Sequence, residues 1–258
     1  MNSPLSYLGG KSRLAEKIIT LIPSDHVCYC EPFCGAAWVF FKKNPSKCEI
    51  INDRDGELIT FWRVIQNHLE EFLRYYRFAL VSRQLFDLAN KMNPETLTDV
   101  QRAVRYFYLQ KMGFGGKTVD RTFGTGATSG PRLNLTTLEE TLLEVHWRLE
   151  RVTIEHLDAC ECVRRYDRED TLFYMDPPYW HTAGYAPAFG DADYSRLREC
   201  LDKISGRFIL SLNDTPEVRS IFKGFKIKRV LTTYSAGNGR CPGSDRTRKR
   251  AEVLIHNL

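Results

Sequence analysis

The 258-residue chain predicts an α/β fold: an open, Rossmann-like sheet with helices on both faces, interrupted by a mainly helical insertion. Three features point to it. Short apolar runs of strand length end in an acid, as in CEIIND (48–53) and TLFYMD (171–176). A strand-like run, a small-residue turn and a helical run follow one another in HVCYCEPFCGAAWVFF (26–41). Between 68 and 149 the apolar spacing becomes helical and the strand–helix alternation stops. The expected division is a core in two parts, 1–60 and 150–258, around an inserted subdomain, 61–149.

Composition narrows the class. Hydrophobic residues make up 43% of the chain, enough for a sizeable core. No apolar run approaches the roughly 18 residues of a membrane span, and the first residues lack a signal-peptide pattern. A soluble, cytoplasmic protein is expected. A net charge of +5 and a pI near 8.7 suit a polyanionic partner without requiring one. The eight cysteines read as reduced thiols, and the paired Cys-x₂-Cys spacing of a zinc site is absent, so no metal is expected.

The first stretch is SPLSYLGGKSR (3–13). A triphosphate-binding loop would need a glycine five positions before Gly10, where Leu5 stands, and no strand precedes it. A close-approach loop fits better. Gly9 and Gly10 admit backbone near a ligand, Lys11 can meet a carboxylate, and Tyr7 offers a ring. Leu14, Ile18 and Leu21 then recur at helical spacing before Pro23.

Residues 27–30 predict a strand, EPFCG (31–35) a turn, and 36–41 the start of a helix. In a Rossmann-like sheet this turn holds a nucleotide-bearing cofactor. Of the usual glycine fingerprint only Gly35 is present, which suits a cofactor without a pyrophosphate, and Glu31 can meet a ligand ammonium. Asp53 ends the next strand about 20 residues after Glu31, the place of a ribose ligand. It also suits the cap of a helix over 56–65.

The insertion shows helical spacing through Leu69, Phe72 and Tyr76, then 85–89, then Val104, Tyr108 and Leu109. A glycine-rich stretch covers 113–134. From Arg102 to Arg132 six basic residues (Arg102, Arg105, Lys111, Lys117, Arg121, Arg132) face one acid, Asp120. Charge on pliable backbone suits phosphate contacts, and a solvated helical lobe is the plain alternative. A helix over 138–149 returns to the sheet. A strand over 152–155 ends near Asp158, which suits either a contact to an adenine amino group or the cap of a helix over 159–166.

The run 171–176 is followed by Pro177, Pro178, Tyr179 and Trp180. Neither proline donates a ladder bond, so the strand stops at Asp176. Pro178 keeps Pro177 extended, so a stiff turn follows the acid. An exocyclic amine on a nucleobase is flat and weakly nucleophilic. Asp176 and the Pro177 carbonyl can accept its two N–H bonds off the base plane and free its lone pair, while Tyr179 stacks on the base. Stacking needs only the ring, so phenylalanine is expected to serve at 179. Beyond this motif come an aromatic loop over the site (180–193), a helix (194–203) and a strand (207–212) ending near Ser211, Asn213 and Asp214. Closing strands over 226–234 and 251–256 enclose a second basic stretch (237–250), in which Arg246 and Arg248 are candidate backbone contacts.

In this order YLGGK (7–11), EPFCGA (31–36), IND (51–53), HLD (156–158), DPPY (176–179), SLND (211–214) and EVLI (252–255) resemble the Dam-like adenine-N6 DNA methyltransferases, D12 class, alpha group. The ordered set spans nearly the whole chain. The resemblance implies S-adenosyl-L-methionine as cofactor and adenine in double-stranded DNA as substrate. By resemblance Tyr7, Gly10 and Lys11 form the amino-terminal cofactor loop. Glu31, Pro32, Phe33 and Gly35 lie beside the methionine portion, with Asp53 at the ribose and Asp158 near the cofactor adenine. Asp176, Pro177 and Tyr179 are the catalytic group. Lys117, Arg121, Arg132, Arg246 and Arg248 are the expected DNA contacts. Two departures stand out: Ala37 holds a position where the family commonly has glycine, and Phe114-Gly115-Gly116 replaces a frequent Asn-Gly. A small enzyme of this kind fits a phage, a prophage or a restriction-modification system with a separate endonuclease.

Other readings are methylation of a different amino group (cytosine N4, an RNA adenine or a glutamine side chain) and a DNA-binding regulator with an inactive core. Asp rather than Ser before the prolines favours adenine by resemblance, and the basic insertion favours nucleic acid over protein. A regulator would need Asp53, Asp176 and Tyr179 together for nothing. Cytosine-C5 chemistry wants an attacking cysteine beside the proline, which this motif lacks.

Overall fold

The computed structural model describes residues 1–7, 10–116, 120–124, 133–180, 189–233 and 249–258. Gly9, Lys117, Arg132, Arg246, Arg248 and most of the expected loop after Trp180 lie outside the described residues.

All seven expected strands form, within two residues of their expected bounds: β1 (Cys28–Glu31), β2 (Cys48–Asn52), β3 (Thr153–Glu155), β4 (Thr171–Met175), β5 (Arg207–Asn213), β6 (Lys226–Thr233) and β7 (Lys249–His256). They make one sheet in the order β3-β2-β1-β4-β5-β7-β6. The first five run parallel, and β7 is antiparallel to both neighbours. Chain order reverses between β1 and β4, so a crevice opens there beyond the carboxyl ends of the strands. Every residue of β4 is buried, which explains its unbroken apolar run.

The helices among the described residues are α1 (Ala15–Ile19), α2 (Trp38–Lys42), α3 (Gly56–Asn67), α4 (Leu69–Tyr76), α5 (Arg83–Lys91), α6 (Asp99–Met112), α7 (Leu135–Leu149), α8 (Ala159–Tyr166), α9 (Asp191–Asp202) and α10 (Pro216–Ile221). Sequence reasoning does not foresee α10, because six residues are too few for a helical period. Its signs are the Thr215 cap and Pro216 in the first turn. None of the described helices is long and apolar enough to cross a membrane. The seven described cysteines are free thiols.

Strand pleating separates two cores. Tyr29, Ile51, Leu172, Tyr174 and Ile209 face one side, where the insertion packs. Cys30, Ile50, Phe173, Met175 and Phe208 face the other, under α8 and α9. The insertion continues the first core. Phe61 of α3 stacks on Phe107 of α6, centres 5.5 Å apart, and Phe72 of α4 meets Phe107 edge-on at 5.6 Å. Helix α3 runs unbroken through residue 60, where the sequence suggests a boundary.

Two residues of the basic stretch from Arg102 to Arg132 hold the insertion together. Arg102 reaches Glu57 Oε1 at 2.5 Å, and Arg105 lies 3.6 Å from Glu57 Oε2 while donating to the Ala89 carbonyl at 2.7 Å. They tie α6 to α3, because a half-buried carboxylate on α3 requires cationic partners. The cap of α3 is likewise Asp55, which accepts from the Glu57 and Leu58 amides, and not Asp53.

The alanine at the family's glycine position has a conformational cost. Ala37 precedes α2 at φ 52°, ψ 38°, in the left-handed region. A β-carbon there costs about 1–2 kcal/mol. Ala37→Gly should therefore stabilise the fold by about 1 kcal/mol, after the greater freedom of glycine in the unfolded chain is offset. Urea unfolding checks this; a lower midpoint in the glycine variant would refute it.

Candidate active site

An open cavity, with about 1020 Å³ of empty space when the adjoining solvent is counted, lies at the carboxyl edge of the sheet. Its wall contains all nine residues expected at the cofactor: Tyr7, Gly10, Lys11, Glu31, Pro32, Phe33, Gly35, Asp53 and Asp158. Asp176 also lines it, whereas Pro177 and Tyr179 are not among the lining residues.

The glycines shape the wall. A Cβ on Gly10 would lie 2.7 Å from the Trp38 Nε1. Gly35, at φ +47°, would press one against the Tyr7 ring at 3.3 Å. Both positions let backbone approach the cavity closely.

Each acid follows a parallel strand. Glu31, at the end of β1, is 1% exposed and accepts the Tyr29 phenol at 2.6 Å. Burial pushes its carboxyl up to about 8, against the pull of that phenol and of Lys43. Asp53, after β2, accepts the Gly35 amide at 2.9 Å and the Asp55 amide at 3.0 Å. Burial raises it to about 6, with those backbone bonds opposing. Asp158, after β3, caps α8 through the Cys160 amide and pairs with Arg196 at 2.5 Å. The cap role that the sequence allows is thus realised at the cavity wall.

Asp176 follows β4. Lys11 Nζ lies 2.8 Å from its Oδ1, and Ser211 donates to the same oxygen at 2.8 Å. No described residue bonds Oδ2. Burial raises its carboxyl, and Lys11 and Ser211 counter this. The Lys11 ammonium also stands 4.4 Å from the centre of the Tyr179 ring. Ser211 and Asn213, two apart on β5, both hold the motif: Asn213 Oδ1 accepts the Trp180 amide at 3.0 Å. Tyr194 of α9 donates to the Pro178 carbonyl.

Sequence reasoning missed several of these residues. Asn52 is fully buried and joins two turns of the wall. Its amide donates to the carbonyls of Pro32 (2.8 Å) and Leu157 (3.1 Å), and its oxygen accepts the Leu157 amide at 2.8 Å. Its signal was a polar residue inside an apolar strand. Arg196, Asp193 and Phe189 close the far end, where Phe33 and Phe189 meet edge-on at 5.7 Å; nothing local in the sequence marks them. Of the expected DNA contacts only Arg121 is described. Its guanidinium lies 5.7 Å from the Tyr106 ring centre, and its charge acts on Asp55.

Residues 7–236 match the family profile of the D12 class N6 adenine-specific DNA methyltransferases. The chain belongs to that family. The methyltransferase is 26% identical to the type II methyltransferase M1.LlaDCHI of Lactococcus lactis subsp. cremoris, over 97% of this chain and 93% of that one. It is 23% identical to the type II methyltransferase M.CviBI of Paramecium bursaria Chlorella virus NC1A, over 87% of this chain and 88% of that one. With a DNA adenine methylase of Haemophilus influenzae it shares 24% identity, over 90% of this chain and 86% of that one. Its activity is S-adenosyl-L-methionine-dependent methylation of adenine N6 in DNA, and the sheet, cavity and helical insertion are those of a Rossmann-like methyltransferase.

The cavity fits that cofactor. A buried acid that accepts from a neutral phenol suits an ammonium, an acid at the tip of β2 suits a diol, and the Phe33–Phe189 edge suits a flat heterocycle. If Glu31 meets the ammonium, binding below pH 8 must first remove its proton. Each pH unit below that point should weaken affinity about tenfold, or about 1.4 kcal/mol. Above about pH 8 the ligand's own α-amino group loses its charge. Cofactor affinity should therefore peak near pH 8, and Glu31→Gln should flatten the acid side. Calorimetric titration across pH 6–9 decides; an unchanged acid limb in the variant would assign it elsewhere.

Proposed function

We propose that the methyltransferase takes one adenine out of duplex DNA and holds its amine against Asp176 while the methyl group is transferred. The observation carrying this reading is the state of Asp176. Lys11 and Ser211 orient the carboxylate through one oxygen and leave the other for an incoming N–H. No backbone amide of the described residues occupies the Pro177 carbonyl, so it is available as the second acceptor. Two acceptors off the base plane favour a tetrahedral nitrogen and free its lone pair. The carboxylate also stabilises the positive charge that grows on nitrogen, an interaction worth most in the transition state. The Tyr179 ring offsets part of the cost of extruding the base.

On this reading Tyr7, Gly10, Lys11, Glu31, Pro32, Phe33, Gly35, Asp53 and Asp158 hold the cofactor, which supplies an activated methyl group when bound. The part between 61 and 149 meets the DNA, with Lys117, Arg121 and Arg132 at the backbone and Arg246 and Arg248 joining them. Relatives named as type II methyltransferases support a restriction-modification setting with a separate endonuclease.

Asp176→Asn should keep cofactor and DNA affinity within a few-fold yet slow single-turnover methyl transfer on the order of 100-fold. A thermal melt controls for the lost Lys11 ion pair. Near-normal transfer would remove Asp176 from the chemistry.

Neutralising Lys117 and Arg121 should lower DNA affinity and flatten the slope of log affinity against log salt by roughly 0.9 per lost phosphate contact. An unchanged slope would mean that neither meets phosphate, and a loss confined to one DNA sequence would indicate base reading.

A further inference from the structure

We propose that Glu252 is a positioning residue for methyl transfer: its buried carboxylate takes the Tyr179 phenol hydrogen bond and so sets the angle of the ring that receives the target base. This rests on the reading above, in which Tyr179 holds that base.

Glu252 lies on β7 opposite Asn213 of β5, beyond the residues matched to the family profile. It is 1% exposed. Along β7, Val253 and Ile255 fill one core and Leu254 the other, so strand pleating places Glu252 on the face of Leu254. An apolar side chain there would satisfy the pattern, and a buried carboxylate costs stability unless it is paired. The Tyr179 phenol donates to Glu252 Oε2 at 2.5 Å, a charge-assisted bond of the strong kind.

That bond does what the neighbouring bonds do not. The Pro178 carbonyl is held by Tyr194, and the Trp180 amide by Asn213. These fix the backbone on either side of Tyr179 without reaching its ring, whose face meets the Lys11 ammonium at 4.4 Å from the ring centre. The phenol–carboxylate bond fixes the far end of the ring. Stacking helps the reaction only if the ring is already at the right angle, since a site loose by about 1 Å loses much of its rate. Glu252 touches no reacting atom; it acts through Tyr179, and its charge also raises the Asp176 carboxyl. Phenylalanine at 179, which stacking alone allows, would lose the tip of the ring and leave Glu252 without that donor.

The test uses Tyr179→Phe, Glu252→Ala, Glu252→Gln and the Phe variant combined with each Glu252 change. Single-turnover methyl transfer is measured at saturating DNA and cofactor, with 2-aminopurine at the target position reporting the base. Tyr179→Phe and Glu252→Ala should each slow transfer about tenfold and change the 2-aminopurine signal, with cofactor affinity unchanged. Glu252→Gln keeps an acceptor and should recover most of the rate. In the Phe background neither Glu252 change should slow transfer further, because the bond is already gone. Multiplying losses, or a normal rate in Tyr179→Phe, would overturn the proposal. If Glu252→Ala fails to fold, Glu252→Gln with and without Tyr179→Phe carries the same comparison. Tyr179→Ala separates the two readings. An unchanged 2-aminopurine signal there overturns base holding by Tyr179 itself. A changed signal there, with normal Tyr179→Phe, overturns positioning by Glu252 alone.

Discussion

Parallel strands end on the same side of a sheet, and here four of them end in acids. Glu31 ends β1, Asp53, Asp158 and Asp176 follow β2, β3 and β4, and all four meet one cavity. Like charges gathered away from water are unfavourable unless each finds a partner. The partners differ in kind. Asp158 has a guanidinium and Asp176 an ammonium. Asp53 has backbone amides, and Glu31 has a neutral phenol. The carboxyls of Asp53 and Glu31 stand at about 6 and about 8, raised chiefly by burial.

Asp176 depends on parts of the chain that lie far apart. Lys11 comes from the amino-terminal loop, Ser211 and Asn213 from β5, and Glu252 from β7. Two prolines end β4 and leave a turn with few backbone donors, so side chains from neighbouring strands must hold it. Their two-residue spacing on β5 delivers Ser211 to the acid and Asn213 to the backbone beyond it. The insertion is bound to the sheet in a similar way. Helix α3 belongs to both, and Glu57 on it anchors Arg102 and Arg105 of α6. A single core across that junction disfavours free rotation of the insertion against the sheet.

The strands and the acids at their tips were legible in the sequence. An apolar run ending in a polar residue follows from local chemistry, and so does a proline that stops a ladder. The ordered motifs carried the family. Tertiary structure decided which acids share a wall and what each one pairs with. It made Asp55 the cap of α3, turned Arg102 and Arg105 inward, put Ala37 in a left-handed conformation, and made Asn52 the clasp between two turns. It also gave the Tyr179 phenol a partner 73 residues away in Glu252. Sequence patterns report the period and polarity of one segment at a time. Pairing, burial and the cost of an unpartnered charge arise only when strands distant in sequence come to lie side by side.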